Sequence, residues 1–177
     1  MKPARVFVIG DTHFGHVNIL KFEPVSRPFK DIQEHDEELV RRWNSVVEPQ
    51  DTVWHLGDAV FGRQNAWRLE LLNGHKRLVM GNHDRLDTQV YLKSFERMFG
   101  VAVIDRKING RRIYCVLTHI PVAEQQFYRF DVNIHGHLHE KSLPDPRYIN
   151  VSCEQTGLAP VLLDEVLERY APANSGL

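Results

Sequence analysis

At 177 residues, 42% apolar and 25% charged, the chain has the length and balance of one globular domain, expected to span residues 1–177. A formal net charge of -1 excludes a global field that would draw it to nucleic acid or to an anionic membrane, leaving only a local basic groove open. No stretch approaches the roughly 20 apolar residues that span a bilayer, and no signal peptide is visible. Cys115 and Cys153 lie in apolar runs without metal-pair spacing, so buried thiols and a cytoplasmic location are expected.

Val6-Phe7-Val8-Ile9 is a continuous apolar run, read as a strand buried on both faces, and it ends at Gly10-Asp11-Thr12-His13. A short helix from Val17 to Phe22 is expected next, closed before Pro24. From Asp31 to Val47, residues such as Ile32, Leu39, Trp43 and Val46 recur at helical spacing; Asp31 caps this helix and Glu34 completes a capping box. Thr52 to Leu56 reads as a second strand ending at Gly57-Asp58. Asn65 to Asn73 reads as a helix with Trp67, Leu71 and Leu72 inward and Gly74 as its stop.

A third strand, Arg77 to Met80, delivers Gly81-Asn82-His83-Asp84. Thr88 to Phe99 reads as a helix closed by Gly100. Val101–Ile104, Arg106–Ile108 and Arg112–Leu117 are strand material folded about the hairpin signal Asn109-Gly110, and the returning strand ends at Thr118-His119. Phe130 to Ile134 runs into His135-Gly136-His137-Leu138-His139. Tyr148–Ser152 and Val161–Leu163 are further strands, Asp164 opens a last helix to Tyr170, and residues 171–177 are expected to fray.

Five strand ends thus carry metal-ligand types: Asp11/His13, Asp58, Asn82/His83, His119 and His137/His139. The loops at carboxyl strand ends are where open α/β sheets form ligand crevices. Carboxylate, imidazole and amide oxygen together suit a divalent transition metal. The set exceeds one tetrahedral site, so two ions are implied; a pair about 3.5–4 Å apart clamps a phosphate and activates a water.

The order Asp-x-His, Gly-Asp, Gly-Asn-His-Asp, His, Gly-His-x-His resembles the calcineurin-like metallophosphoesterase family over nearly the whole chain. The phrases Asp11-Thr-His-Phe-Gly-His16 and Arg27-Pro-Phe29 are similar to its small prokaryotic and phage members. The resemblance implies an α/β fold, a two-layer αββα sandwich of two mixed sheets flanked by helices. It implies one ion on Asp11, His13 and His139, a second on Asn82, His119 and His137, and Asp58 bridging them. Mn is favoured for both, with Fe, Zn, Co and Ni also accepting this ligand set. A bridging hydroxide would attack phosphorus in line. His83 would protonate the leaving alkoxide, and Asp84 would orient His83 through its other ring nitrogen.

Phosphodiester hydrolysis is expected, on a substrate class that includes nucleotides and nucleic acid. A phosphomonoesterase, a nuclease and a non-catalytic metal-binding scaffold are the alternatives. His16, Asn18 and Arg27 are candidate substrate contacts, with a capping or loop-pinning role equally open. His55 and His135 read as groups behind the ligands, Trp43, Trp67 and Phe95 as core, and His35, His75, Arg63, Arg111 and Arg112 as surface.

Overall fold

The computed structural model describes residues 3–170; the expected frayed tail lies outside them. Two sheets stack face to face. The first has the order β4-β3-β2-β1-β9, built from β1 (Val6–Ile9), β2 (Thr52–His55), β3 (His75–Val79), β4 (Arg97–Phe99) and β9 (Val161–Leu162). The second has the order β5-β6-β7-β8, from β5 (Ala102–Ile108), β6 (Arg111–Leu117), β7 (Val132–His135) and β8 (Tyr148–Asn150). Both are mixed: β1 to β4 run parallel with β9 antiparallel, and β6 to β8 run parallel with β5 antiparallel.

The apolar run of β1 is buried on both faces because it separates two cores. Phe7 and Ile9 pack with Leu39 and Trp43 of α2 (Ile32–Val46), whereas Val8 faces Cys115, Leu117 and Ile134 of the second sheet. Val53 and Trp54 divide in the same way on β2. The last helix, α5 (Leu163–Tyr170), inserts Leu163, Val166 and Leu167 into the inter-sheet core. With helices on the flanks, this is the expected sandwich. Both cysteines are buried and free. Among the described residues, no helix is long and apolar enough to cross a membrane.

Two helices of the sequence reading are corrected. Residues Arg63–Leu71 form a 3₁₀ helix, in which positions three apart eclipse. Leu69 and Leu72 therefore share the buried side, and Trp67, read as core, is 53% exposed with Leu71 beside it at 47%. The segment Thr88–Phe99 is helical only over Thr88–Tyr91; Arg97–Phe99 pairs with Arg77–Val79 as β4. Its apolar spacing fits either state, and the open edge of β3 supplies the hydrogen bonds that decide it. Asp31 caps α2 as read, its Oδ1 accepting from Glu34 N at 2.9 Å, but the capping box is not closed: the Glu34 carboxylate accepts from Lys30 N, one residue before the cap, at 2.8 Å.

His35, read as surface, is fully buried. It stands four residues before Leu39 and eight before Trp43, on the stripe that α2 turns to the core. Its ring lies 2.9 Å from Arg27 Nη1 and 2.8 Å from Asp36 Oδ1.

Candidate metal centre

The ends of β1, β2, β3, β6 and β7 meet at one rim, because backbone hydrogen bonds continue past the strands. Asp11 N donates to Gly57 O at 2.9 Å and His13 N to Asp58 O at 3.0 Å, which holds these three ligand-type residues in register. Gly136 N donates to His119 O at 3.0 Å, and Gly10 joins the end of β8 through Val151 O at 2.8 Å. The two sheets are stitched together at this edge.

Each central carboxylate has one oxygen tethered and one left over. Asp11 Oδ2 accepts from His137 N at 2.9 Å, and Asp11 Oδ1 is buried without a hydrogen-bond partner. Asp58 Oδ1 accepts from His83 N at 2.9 Å, while Oδ2 lies 3.8 Å from His13 Nε2 and 3.5 Å from His119 Nε2. Glycines make room behind them: a Cβ at Gly136 would stand 2.4 Å from Asp11 Oδ2, and one at Gly81 would stand 2.2 Å from Asp58 Oδ1.

These residues fit divalent ions on three counts. Ligand atoms of Asp11, His13 and His139 lie within 4.8 Å of one another, as do those of Asp11, Asp58 and His119. Both ring nitrogens of His13 are buried and unpartnered, a state that costs free energy unless a ligand completes it. His119 Nδ1 donates to Leu56 O at 2.8 Å, so in the neutral ring Nε2 is a lone pair; it lies 2.9 Å from Asn82 Oδ1 and 3.2 Å from His137 Nδ1. The Nε2 lone pair facing the Asn82 oxygen at 2.9 Å is a repulsion that a cation between them relieves.

The backbone tells the same story. Among the described residues, Asp11, His13, Asp58, His137 and His139 all have positive φ, between 51° and 70°. For non-glycine residues such strain costs about 1–3 kcal/mol each and gathers at functional sites.

Electrostatics follow from burial and crowding. Burial pushes the Asp11 carboxyl up, but the imidazoles of His13, His119 and His139 outweigh it and hold the group well below the usual carboxylate range. Burial lowers His13 and, with His119 beside it, His137. His16 is lowered by burial to about 4, so its ring is neutral at pH 7; it stacks on Phe61 at 3.8 Å between centroids. His55 is fully buried against Thr12 Oγ1 at 2.9 Å, and His135 is likewise fully buried, with Nδ1 2.8 Å from Gly136 O.

His83 is exposed on the rim, its ring centroid 6.1 Å from that of His13 and 5.0 Å from that of Phe61. Asp84 does not serve its ring. The Asp84 carboxylate is buried and accepts from Asp58 N at 2.8 Å, Ala59 N at 2.9 Å and Gly81 N at 2.8 Å. It holds the loops that carry Asp58 and Asn82. Asn18 is exposed and makes no capping hydrogen bond from its side chain, though it occupies the N-cap of the short helix Ile19–Phe22.

Arg27 pins its loop. It is 1% exposed and donates to Asp11 O at 2.6 Å and Thr12 O at 3.2 Å. Its charge is paired with Glu154, which follows β8 and also reaches His139 Nδ1 at 3.1 Å. Glu154 is the residue that sequence reasoning missed. β8 is a sixth strand ending at this rim, but the turn after it carries no histidine or glycine to mark it.

The profile of the calcineurin-like phosphoesterases matches residues 4–137. An uncharacterised protein of Methanocaldococcus jannaschii is 33% identical over 179 residues, covering 95% of this chain and 92% of its own. The gene 66 protein of Mycobacterium phage D29 is 28% identical, covering 98% of this chain and all of its own length. Among solved structures, a protein of unknown function from Aquifex aeolicus superposes with a TM-score of 0.75 at 27% identity, covering 94% of this chain and 100% of that one. The profile match runs from before β1 to His137, well over half of the chain, and on that ground the chain belongs to the calcineurin-like phosphoesterase family.

Proposed function

We propose that the protein hydrolyses phosphodiesters on a dinuclear metal centre. The observation that carries this reading is the pair of ligand groups sharing Asp11, with the free Oδ2 of Asp58 lying between His13 and His119. Asp11, His13 and His139 would hold one ion and Asn82, His119 and His137 the other, with Asp58 available to both. Mn is the favoured metal. Divalent ions held there lower the pKa of a water towards neutrality and polarise the phosphoryl oxygens.

The chain's own residues do the rest. His13, buried and walled in by Phe61 and His139, keeps one side of the site rigid. His83, on the open side, gives its proton to the leaving alkoxide. Its backbone N–H donates to Asp58 Oδ1 at 2.9 Å, which ties the loop that carries His83 to this carboxylate.

The charge inventory favours a diester over a monoester. Arg27, the guanidinium that would offset the second charge of a monoester, has its donors committed to Asp11 O, Thr12 O and Glu154 beneath the site. A diester carries one negative charge and needs no such partner. The exposed rim accepts an extended leaving group, and a nucleotide or nucleic-acid phosphate is the natural candidate.

The test is turnover of chelator-stripped protein on a chromogenic aryl phosphodiester and on its monoester, with and without added Mn. Mn-dependent cleavage of the diester, with little of the monoester, is expected. Preference for the monoester would overturn the substrate assignment. Silence on both, with metal bound, would overturn the catalytic one.

A further inference from the structure

Glu154 lies in the first turn of the short helix Cys153–Thr156 and its side chain is 1% exposed. Its Oε1 accepts from Arg27 Nε and stands against Arg27 Nη2, each at 2.7 Å, and lies 3.1 Å from His139 Nδ1. Its Oε2 is buried without a partner. Glu23 Oε1 is 3.9 Å from the same imidazole nitrogen. Glu23, His139 and Glu154 together have the spacing of a cation site. The guanidinium already seated on Glu154 speaks against one, since a second cation there would meet a fixed positive charge.

The carboxylate has a different use. An ionised carboxylate only accepts, so a neutral His139 facing it carries its proton on Nδ1, and Nε2 is left as a lone pair. We infer that Glu154 is a positioning residue that fixes this tautomer of His139 and so offers Nε2 to the ion shared with Asp11 and His13. The inference rests on His139 being a metal ligand, as proposed above.

Two comparisons within the site support it. His13 and His119 have side chains only 3% exposed, held by the walls of the cleft, whereas the His139 side chain is 23% exposed and lacks such walls. His119 has its tautomer set by a neutral carbonyl, Leu56 O; His139 has a charged partner, which also raises the basicity of the ligating nitrogen. The same carboxylate balances Arg27, which grips the backbone of Asp11 and Thr12. One buried charge therefore ties the His139 ring to the loop that carries Asp11 and His13.

The experiment uses the full chain as wild type, Glu154→Ala and Glu154→Gln. Long-range ¹H–¹⁵N spectra of the metal-free protein, at a pH above the titration of the ring, report the His139 tautomer; the signal is assigned by its loss in His139→Asn. Zinc affinity is read separately by competition with a chromophoric chelator. The expected results are Nδ1–H in the wild type, a shift towards Nε2–H in Glu154→Ala, and a zinc affinity weakened about 10–100-fold. Glu154→Gln keeps an acceptor oxygen and is expected to lose less.

An Nε2–H tautomer in the wild type overturns the inference, and does so even if Glu154→Ala fails to fold. So does a folded Glu154→Ala with wild-type tautomer and affinity. A wild type that takes up no zinc overturns the metal-centre reading and this inference with it. A wild type that takes up zinc, with both variants indistinguishable from it, overturns the role of Glu154 alone.

Discussion

Replacing Gly81 by alanine probes whether the position of Asp58 matters to catalysis. The added Cβ would lie 2.2 Å from Asp58 Oδ1, 2.6 Å from Asp58 N and 3.0 Å from Asp58 Cγ. An ordinary contact is about 3.5 Å, so the carboxylate would have to retreat by roughly an ångström. Asp58 N is crowded too, so its backbone must shift against the 2.8 Å tether to Asp84 Oδ2. The side chain must swing as well, giving up its 2.9 Å hydrogen bond from His83 N.

Overpacking of this kind costs about 1–3 kcal/mol, and in a chain of this size each kcal/mol lowers Tm by about 2–4 °C. Displacement by about 1 Å of a group that orders the reacting atoms costs on the order of 10²-fold in rate. The assay is kcat/KM on an aryl phosphodiester at saturating Mn, with Tm of the metal-free protein beside it. Gly100→Ala is the control, because a Cβ there meets nothing within 4 Å. A Gly81→Ala enzyme with wild-type kcat/KM would refute the placement of Asp58 between the two ligand groups.

His83→Ala removes an exposed side chain, so the fold and the metal content should persist while kcat falls about 10²–10⁴-fold; metal analysis beside kinetics checks both, and unchanged turnover removes the proposed role. Arg27→Met strips one partner from a buried ion pair and should destabilise the protein by about 3–5 kcal/mol in urea unfolding. A variant of full stability with only a raised KM would instead make Arg27 a substrate contact. His55 supplies a pH dependence: burial lowers its pKa from 6.5 to about 3, so below 6.5 the unfolded chain binds a proton that the folded chain refuses. Stability is full above that pH and declines by up to about 1.4 kcal/mol per pH unit as acid is added. In urea unfolding across that range, His55→Gln should lose less stability than the wild type; parallel losses would show that His55 does not contribute.

The sequence alone was enough to read most strands and the residues of the rim, while the sandwich came with the family resemblance. Strand periodicity and glycine punctuation are local properties, so the apolar runs and the Asp, Asn and His residues at their ends are legible without coordinates. The α2 stripe through Leu39 and Trp43 is local too, and it carried a sign that His35 is buried. What one stretch of chain cannot contain is the partner that another stretch provides. Whether Arg97–Phe99 continues a helix or becomes β4 depends on the open edge of β3. Whether Arg27 meets substrate or pins a loop depends on Glu154, 127 residues away. Asp84, adjacent to His83 in sequence, turns instead to the amides of Asp58 and Ala59 on the neighbouring strand end. These are buried polar groups, and each must find a donor or an opposite charge once water is removed. That requirement is met by whichever group the fold brings within reach, which is why tertiary structure alone decided their roles.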